Sequence, residues 1–151
     1  METIVSWIAI GLSVASGIFT FYTFRWTAAR DRKQATLEAY NRLQAEVFDR
    51  LNTYPPAAIR EMCQHTRSEE YKTVSGYLAR IEHFCVGINQ KIYDRETFYA
   101  LAHGYFDAQI RDRIQPMIDK KNVRNNRAKQ YYNDTLQVLA WMDGKSGRNR
   151  E

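Results

Sequence analysis

Hydrophobic positions along this chain follow two different patterns. From Thr3 to Phe24 no charged residue occurs and no polar face repeats. As a helix rising ~1.5 Å per residue, these 22 residues span roughly 33 Å, about the thickness of a bilayer's hydrocarbon core. Beyond Phe24 the apolar residues thin out and recur at three- and four-residue steps, the period of one helix face. Leu37, Tyr40, Leu43, Val47 and Leu51 make the first such stripe, on a helix that nothing interrupts from Phe24 to Asn52. Pro55-Pro56 ends it, because proline lacks the backbone donor and clashes with the preceding turn. A short helix from Ala57 to His65 is expected next. Ser68 reads as an N-cap, followed by Glu69 and Glu70 at the positive helix start. The stripe behind it is Val74, Tyr77, Leu78, Ile81, Phe84, Cys85, Ile88 and Ile92. Asp94 reads as the next cap, before Phe98, Leu101, Ala102, Tyr105, Phe106, Ile110, Ile114 and Met117/Ile118. Pro116 should kink or divide that helix, freeing a carbonyl near Asp112. A last helix is expected from Arg127 to Met142, with Tyr131, Thr135, Val138, Leu139 and Met142 inward. The tail Gly144–Glu151 reads as disordered.

The pattern predicts an all-α chain: one transmembrane helix over 3–24, then a cytoplasmic bundle of four to five helices over 25–143. A cleaved signal peptide would need a basic leader and an apolar stretch of about 7–15 residues. Here Met-Glu precedes a longer run. A buried core helix would carry a polar face, and this run has none. Trp7 lies near one end, Tyr22 and Trp26 near the other, where amphipathic rings favour the membrane interface. Arg25, Arg30, Arg32 and Lys33 come after the run, and no Lys or Arg precedes it. The positive-inside rule then puts the N-terminus outside and the C-terminal domain in the cytoplasm. Cys63 and Cys85 are read as free thiols of a reducing compartment. Gly11/Ala15 and Ser13/Gly17 are small pairs four apart, a spacing that permits close helix approach in a membrane, although neutral packing is the favoured reading because small residues are common in membrane helices.

Composition changes this picture in one respect. Mean hydropathy of -0.57 averages over an apolar segment and a strongly polar remainder. With 13% aromatics, two cysteines and three prolines, the chain is neither disordered nor disulfide-stapled. The net charge of +5 is matched by one segment, Arg111–Lys129, in which seven basic residues face two acidic ones. Lys120, Lys121, Arg124, Asn125, Arg127 and Tyr131 form the candidate ligand-binding set. Cations there would grip an anion or a nucleotide, Tyr131 would stack on a base, and the first amides of the last helix would add donors. The competing reading is a solvated or lipid-facing charged surface. Duplex DNA is not expected, since no recognition-helix pattern occurs.

Enzyme chemistry finds no foothold. His65, His83, His103, Cys63 and Cys85 lack metal-ligand spacing, so no metal and no cofactor is expected. Cys85 falls in an apolar stripe, and neither a nucleophile elbow nor a phosphate loop is present. An enzyme reading survives only if His83 and His103 meet in a pocket.

The segment Gly87-Ile-Asn-Gln-Lys-Ile-Tyr-Asp-Arg-Glu-Thr-Phe98, with Ile110-Arg-Asp-Arg-Ile-Gln-Pro-Met-Ile118, resembles a helical domain of unknown function from small bacterial proteins, often found behind a single membrane helix. The likeness covers about Val74 to Arg124 and implies a bacterial, membrane-anchored, mostly helical protein, hence one of the inner (cytoplasmic) membrane, with no catalytic residues to carry over. In layout the chain is also similar to small membrane effectors of prokaryotic antiviral defence, whose cytosolic domain senses a nucleotide. Two functions remain open. One is an oligomeric sensor or effector, binding an anionic signal such as a cyclic oligonucleotide and acting at the membrane. The other is a membrane-tethered protein-interaction module without ligand gating.

Overall fold

The structure, a computed structural model, describes residues 2–124 and 131–148, without the side chains of residues 2–6, 8, 9, 123, 124 and 148. Among the described residues it is all-helical. Helix α1 runs from Glu2 to Leu43 and continues through a π-helical turn, Gln44–Phe48, into α2, Asp49–Leu51. Next come α3 (Pro56–Met62), α4 (Glu69–Asn89) and α5 (Arg95–Ala108). A second π-helical turn, Gln109–Ile114, leads into α6 (Gln115–Arg124), and α7 spans Asn133–Arg148.

The bundle begins at Thr36. Every described side chain of α1 before it is exposed or only partly covered, and Thr36 is fully buried. Its hydroxyl donates to the Arg32 carbonyl and accepts from the Asp94 N–H, both at 2.7 Å, which ties α1 to the start of α5. An aromatic ladder then joins α1, α4 and α5. Tyr40 meets Phe84 and Phe98 at 6.2 and 5.8 Å between ring centroids, and Phe98 meets Phe106 edge-on at 5.1 Å. Phe48 closes the ladder against Tyr105 and Phe106. Such edge-to-face pairs add about 0.5–1.5 kcal/mol each beyond their burial. Helix α7 packs along α4 and buries Thr135, Val138, Leu139 and Met142.

The predicted caps form. Ser68 Oγ accepts from the Tyr71 N–H at 3.1 Å, and Asp94 Oδ1 accepts from the Thr97 N–H at 2.8 Å. The two π turns have no counterpart in the sequence reading. A π turn adds a residue to the helix and rotates the next turns about the axis. At Gln44–Phe48 this brings Phe48 to the interior beside Val47. At Gln109–Ile114 the wider turn lies just ahead of Pro116 and divides the run into α5 and α6. Asn52, just beyond α2, accepts from Gln109 Nε2 at 3.0 Å and donates to Tyr105 Oη of α5 at 3.1 Å.

Further expectations need correction, among them Leu37, Leu101 and Tyr131, placed on the apolar stripes but 39%, 46% and 50% exposed. Helix α4 ends at Asn89, so Ile92 leaves the stripe and is 58% exposed. Tyr131 and Tyr132 form a turn and the last helix runs from Asn133 to Arg148, while the expected start at Arg127 lies outside the described residues. Gly144–Arg148 are therefore helical rather than a disordered tail: Lys145 pairs with Glu96, and Ser146 Oγ lies 3.0 Å from Tyr99 Oη. Among the described residues no helix is long and apolar enough to cross a membrane. The side chains at 3–6, 8 and 9, which belong to the expected span, lie outside the described residues.

Candidate functional site

The basic segment separates into side chains that the fold uses and positions that are not described. Arg111 pairs with Asp107 at 2.6 Å within its own helical run and with Asp143 of α7 at 2.7 Å. The bonds to these carboxylates raise its pKa. Arg113 donates to the carbonyl oxygen of Tyr54 at 2.6 Å, in the turn between α2 and α3. Lys120 donates to the carbonyl of Cys63, at the C-terminal end of α3. That carbonyl is one of the orphans every helix end leaves, and a lysine is a suitable donor for it.

Lys121 is drawn further inward. Its Nζ donates to Ser75 Oγ at 2.5 Å and to Tyr132 Oη, and lies 5.0 Å from the centre of the Tyr132 ring. A cation held by two hydroxyls over an aromatic face is a latch between α4, α6 and the entry to α7. Tyr131 is half exposed, with its N–H bonded to Asn122 Oδ1 at 2.8 Å. The structure thus brings Lys120, Lys121 and Tyr131 to one region, with both lysine amines engaged by the fold. The side chain of Arg124, and Asn125 and Arg127 entirely, lie outside the described residues.

The expected anion-binding amides of the last helix have an internal occupant. Glu82 of α4 accepts from the N–H groups of Asp134 and Thr135 at 3.1 and 2.9 Å, and from Thr135 Oγ1 at 2.6 Å. A carboxylate at a helix N-terminus satisfies orphan donors and offsets the helix dipole. Asn89 adds a bond to Asp134 Oδ1 at 2.8 Å. Residue pattern gives no sign of this cross-helix cap, since its partners lie some fifty residues apart.

The candidates for chemistry are dispersed or buried. His83 and His103 are both exposed, and the His103 ring stacks on Tyr99 at 4.7 Å. Among the described residues no group of three or more His, Cys, Asp or Glu is placed to hold a metal ion. Burial pushes both thiols up, Cys63 against a lowering influence from Lys120, and Cys85 despite a bond to Thr135. Burial likewise pushes the Tyr40 phenol up to about 12, helped by Tyr105. All three remain protonated at neutral pH.

The exposed apolar surface is concentrated elsewhere. Trp7, Ile10, Leu12, Val14, Ile18, Phe19, Phe21, Tyr22, Phe24 and Trp26 all lie open on α1 ahead of the bundle. Gly11 and Gly17 have nothing within 4 Å of where a Cβ would stand. This arm carries more exposed large hydrophobics than the remaining described residues together. Among known protein families, the model for DUF4760, a domain of unknown function, aligns with residues 10–141. No curated protein and no solved structure matches the chain.

Proposed function

The chain belongs to the DUF4760 family, a domain of unknown function, and from that premise we propose that it is a membrane-tethered helical interaction module. In this reading residues 3–24 form the anchor and the bundle stands on the cytoplasmic side, where it engages a cytosolic partner. The observation that carries it is the arm. One rigid helix presents ten large apolar side chains to its surroundings and then joins a bundle that has already buried its own core. In water such a surface is an aggregation liability; in hydrocarbon it is at its lowest free energy. The absence of charge from Thr3 to Phe24 and the basic run Arg25, Arg30, Arg32 and Lys33 behind it fit that placement.

Between the two functions left open by the sequence, geometry favours the module without ligand gating. Lys120 and Lys121, central to the anion-binding reading, are spent on the Cys63 carbonyl and on Ser75 and Tyr132. Glu82 fills the helix start meant to help them. The test is membrane extraction of the full chain expressed in a bacterium. It should stay with the membrane through an alkaline carbonate wash and be released by detergent. Release by carbonate or salt alone would refute the anchor.

A further inference from the structure

The connection between α4 and α5 does more than join two helices. Its backbone is closely specified: the N–H groups of Ile92 and Tyr93 both reach the Gly87 carbonyl, at 3.0 and 3.1 Å, and the Lys91 N–H bonds to the Ile88 carbonyl at 3.2 Å. Lys91 takes φ 61°, a left-handed conformation disfavoured for a residue with a Cβ. The Tyr93 ring stacks on Phe84 at 5.2 Å and fills the space above Gly87, where a Cβ would come within 2.4 Å of it. With Tyr93 turned inward, Ile92 is turned outward. It is the most exposed large hydrophobic among the described residues outside the arm.

The place of this turn matters. The Asp94 N–H binds Thr36, the first buried residue of α1, and the charges of Arg32 and Lys33 are felt at the Asp94 carboxylate. So the turn sits at the root of the arm, on the end of the bundle that faces the way the arm leaves. Arg25, Arg30, Arg32, Lys33 and Lys91 are all exposed on the arm's root or the turn, against Asp31, the partly exposed Asp94, and Glu96, which is paired with Lys145. From Trp26 to Thr36 is about 15 Å along the helix axis. The polar zone outside the hydrocarbon takes up about 5–8 Å of it. A tilt of the arm toward the turn, within the roughly 0–40° seen for membrane helices, closes the rest.

We propose that the Lys91–Ile92 turn is a second membrane contact, a foot that docks on anionic lipid headgroups beside the anchor. Lys91 meets the headgroup charge and Ile92 enters the interface. The contact holds the bundle in one orientation over the bilayer, where the anchor alone would let it swivel. It rests on the anchor reading of residues 3–24.

The experiment uses the full chain reconstituted in liposomes, with a fluorophore on Ile92→Cys and, in a second sample, on Glu70→Cys at the other end of α4. Cys63 and Cys85 are buried and do not compete for the label. Quenching by lipids spin-labelled in the headgroup should be strong at position 92 and weak at position 70. It should fall when phosphatidylglycerol is replaced by neutral lipid. Lys91→Ala should weaken the docked state about fivefold, the share of one lysine near an anionic surface. Equal quenching at the two positions, or no dependence on phosphatidylglycerol, in protein that still floats with the liposomes would overturn the foot and leave the anchor standing. Protein that does not float with the liposomes would overturn both.

Discussion

Between Leu12 and Phe24, α1 exposes its large side chains, with Leu12 at 67%, Phe19 at 71% and Phe24 at 72%. Between Tyr40 and Leu51, Tyr40, Leu43, Val47, Phe48 and Leu51 are all buried, none more than 6% exposed. The backbone is helical throughout, so the difference lies in the pattern of side chains. The arm carries no charge from Thr3 to Phe24, and no other described helix covers it. The bundle half is apolar on one stripe, which is buried against α4, α5 and the rest of the core. One helix thus has two environments, and each half should respond to a different class of substitution.

The largest expected effect breaks the arm alone. Val14→Arg with Phe19→Arg places two charges in the charge-free stretch, at about 2.5–3.5 kcal/mol each for a membrane helix centre. The double variant should move from the carbonate-resistant to the soluble or aggregated fraction. Neither side chain touches the core, so the thermal transition of the bundle in detergent should stay where it was. A shift of that transition would mean that the two halves are not independent.

The reverse experiment is Phe48→Ala. Phe48 is fully buried and holds Tyr105 and Phe106 at 5.7 and 5.9 Å. Truncating a buried phenylalanine costs about 3–5 kcal/mol, from lost transfer energy and the cavity left behind. Chemical denaturation should show that loss, while membrane retention is unchanged.

How far this division is legible in the sequence differs by element. The arm emerges from a count of charges, and the caps at Ser68 and Asp94 from residue type ahead of an apolar stripe. Val74, Leu78, Ile81, Phe84, Cys85 and Ile88 are buried as their spacing requires. Phe48 escapes such a reading because a 3.6-residue period places it beside the stripe, and only the π turn brings it in. Ile92 is misplaced by periodicity because the pattern continues across a helix end that backbone bonds to Gly87 impose. The basic segment is only partly legible for another reason. Charge clustering is visible in sequence, but whether a lysine faces solvent or the carbonyl of Cys63 depends on contacts nearly sixty positions apart. Glu82, the residue that caps α7, carries no local signal at all.

A smaller effect tests that cap. Glu82→Ala would leave the amides of Asp134 and Thr135 without their acceptor, costing about 1–3 kcal/mol for partly buried donors. Hydrogen exchange should speed up first at the start of α7, whose hold on α4 depends on it. Uniform exchange along α7 relative to the parent protein would show that water replaces the carboxylate at no cost.

The smallest effect concerns Asp94, at the junction of the two halves. Burial works to raise its pKa, but the N–H and hydroxyl of Thr97, with the nearby charges of Lys33 and Arg32, hold it below the ordinary carboxylate value. A carboxyl lowered on folding stabilises the protein above its unfolded pKa, and that contribution is lost as pH falls through the folded value. The cap is worth about 1 kcal/mol, in the range measured for aspartate N-caps. Stability measured from pH 7 downward should therefore begin to lose this contribution below about pH 4, near the pKa of an unperturbed aspartate. Asp94→Asn keeps an acceptor for the Thr97 amide and removes the titration, so its acid limb should be shallower than that of the parent. Asp94→Ala removes both, and should lower stability already at pH 7. Because Asp94 also meets Thr36 through its backbone, which neither substitution touches, the arm should stay joined to the bundle in both variants. A loss of helicity at the arm's root in Asp94→Ala would show that the cap, rather than the Thr36 bond, sets where the bundle begins.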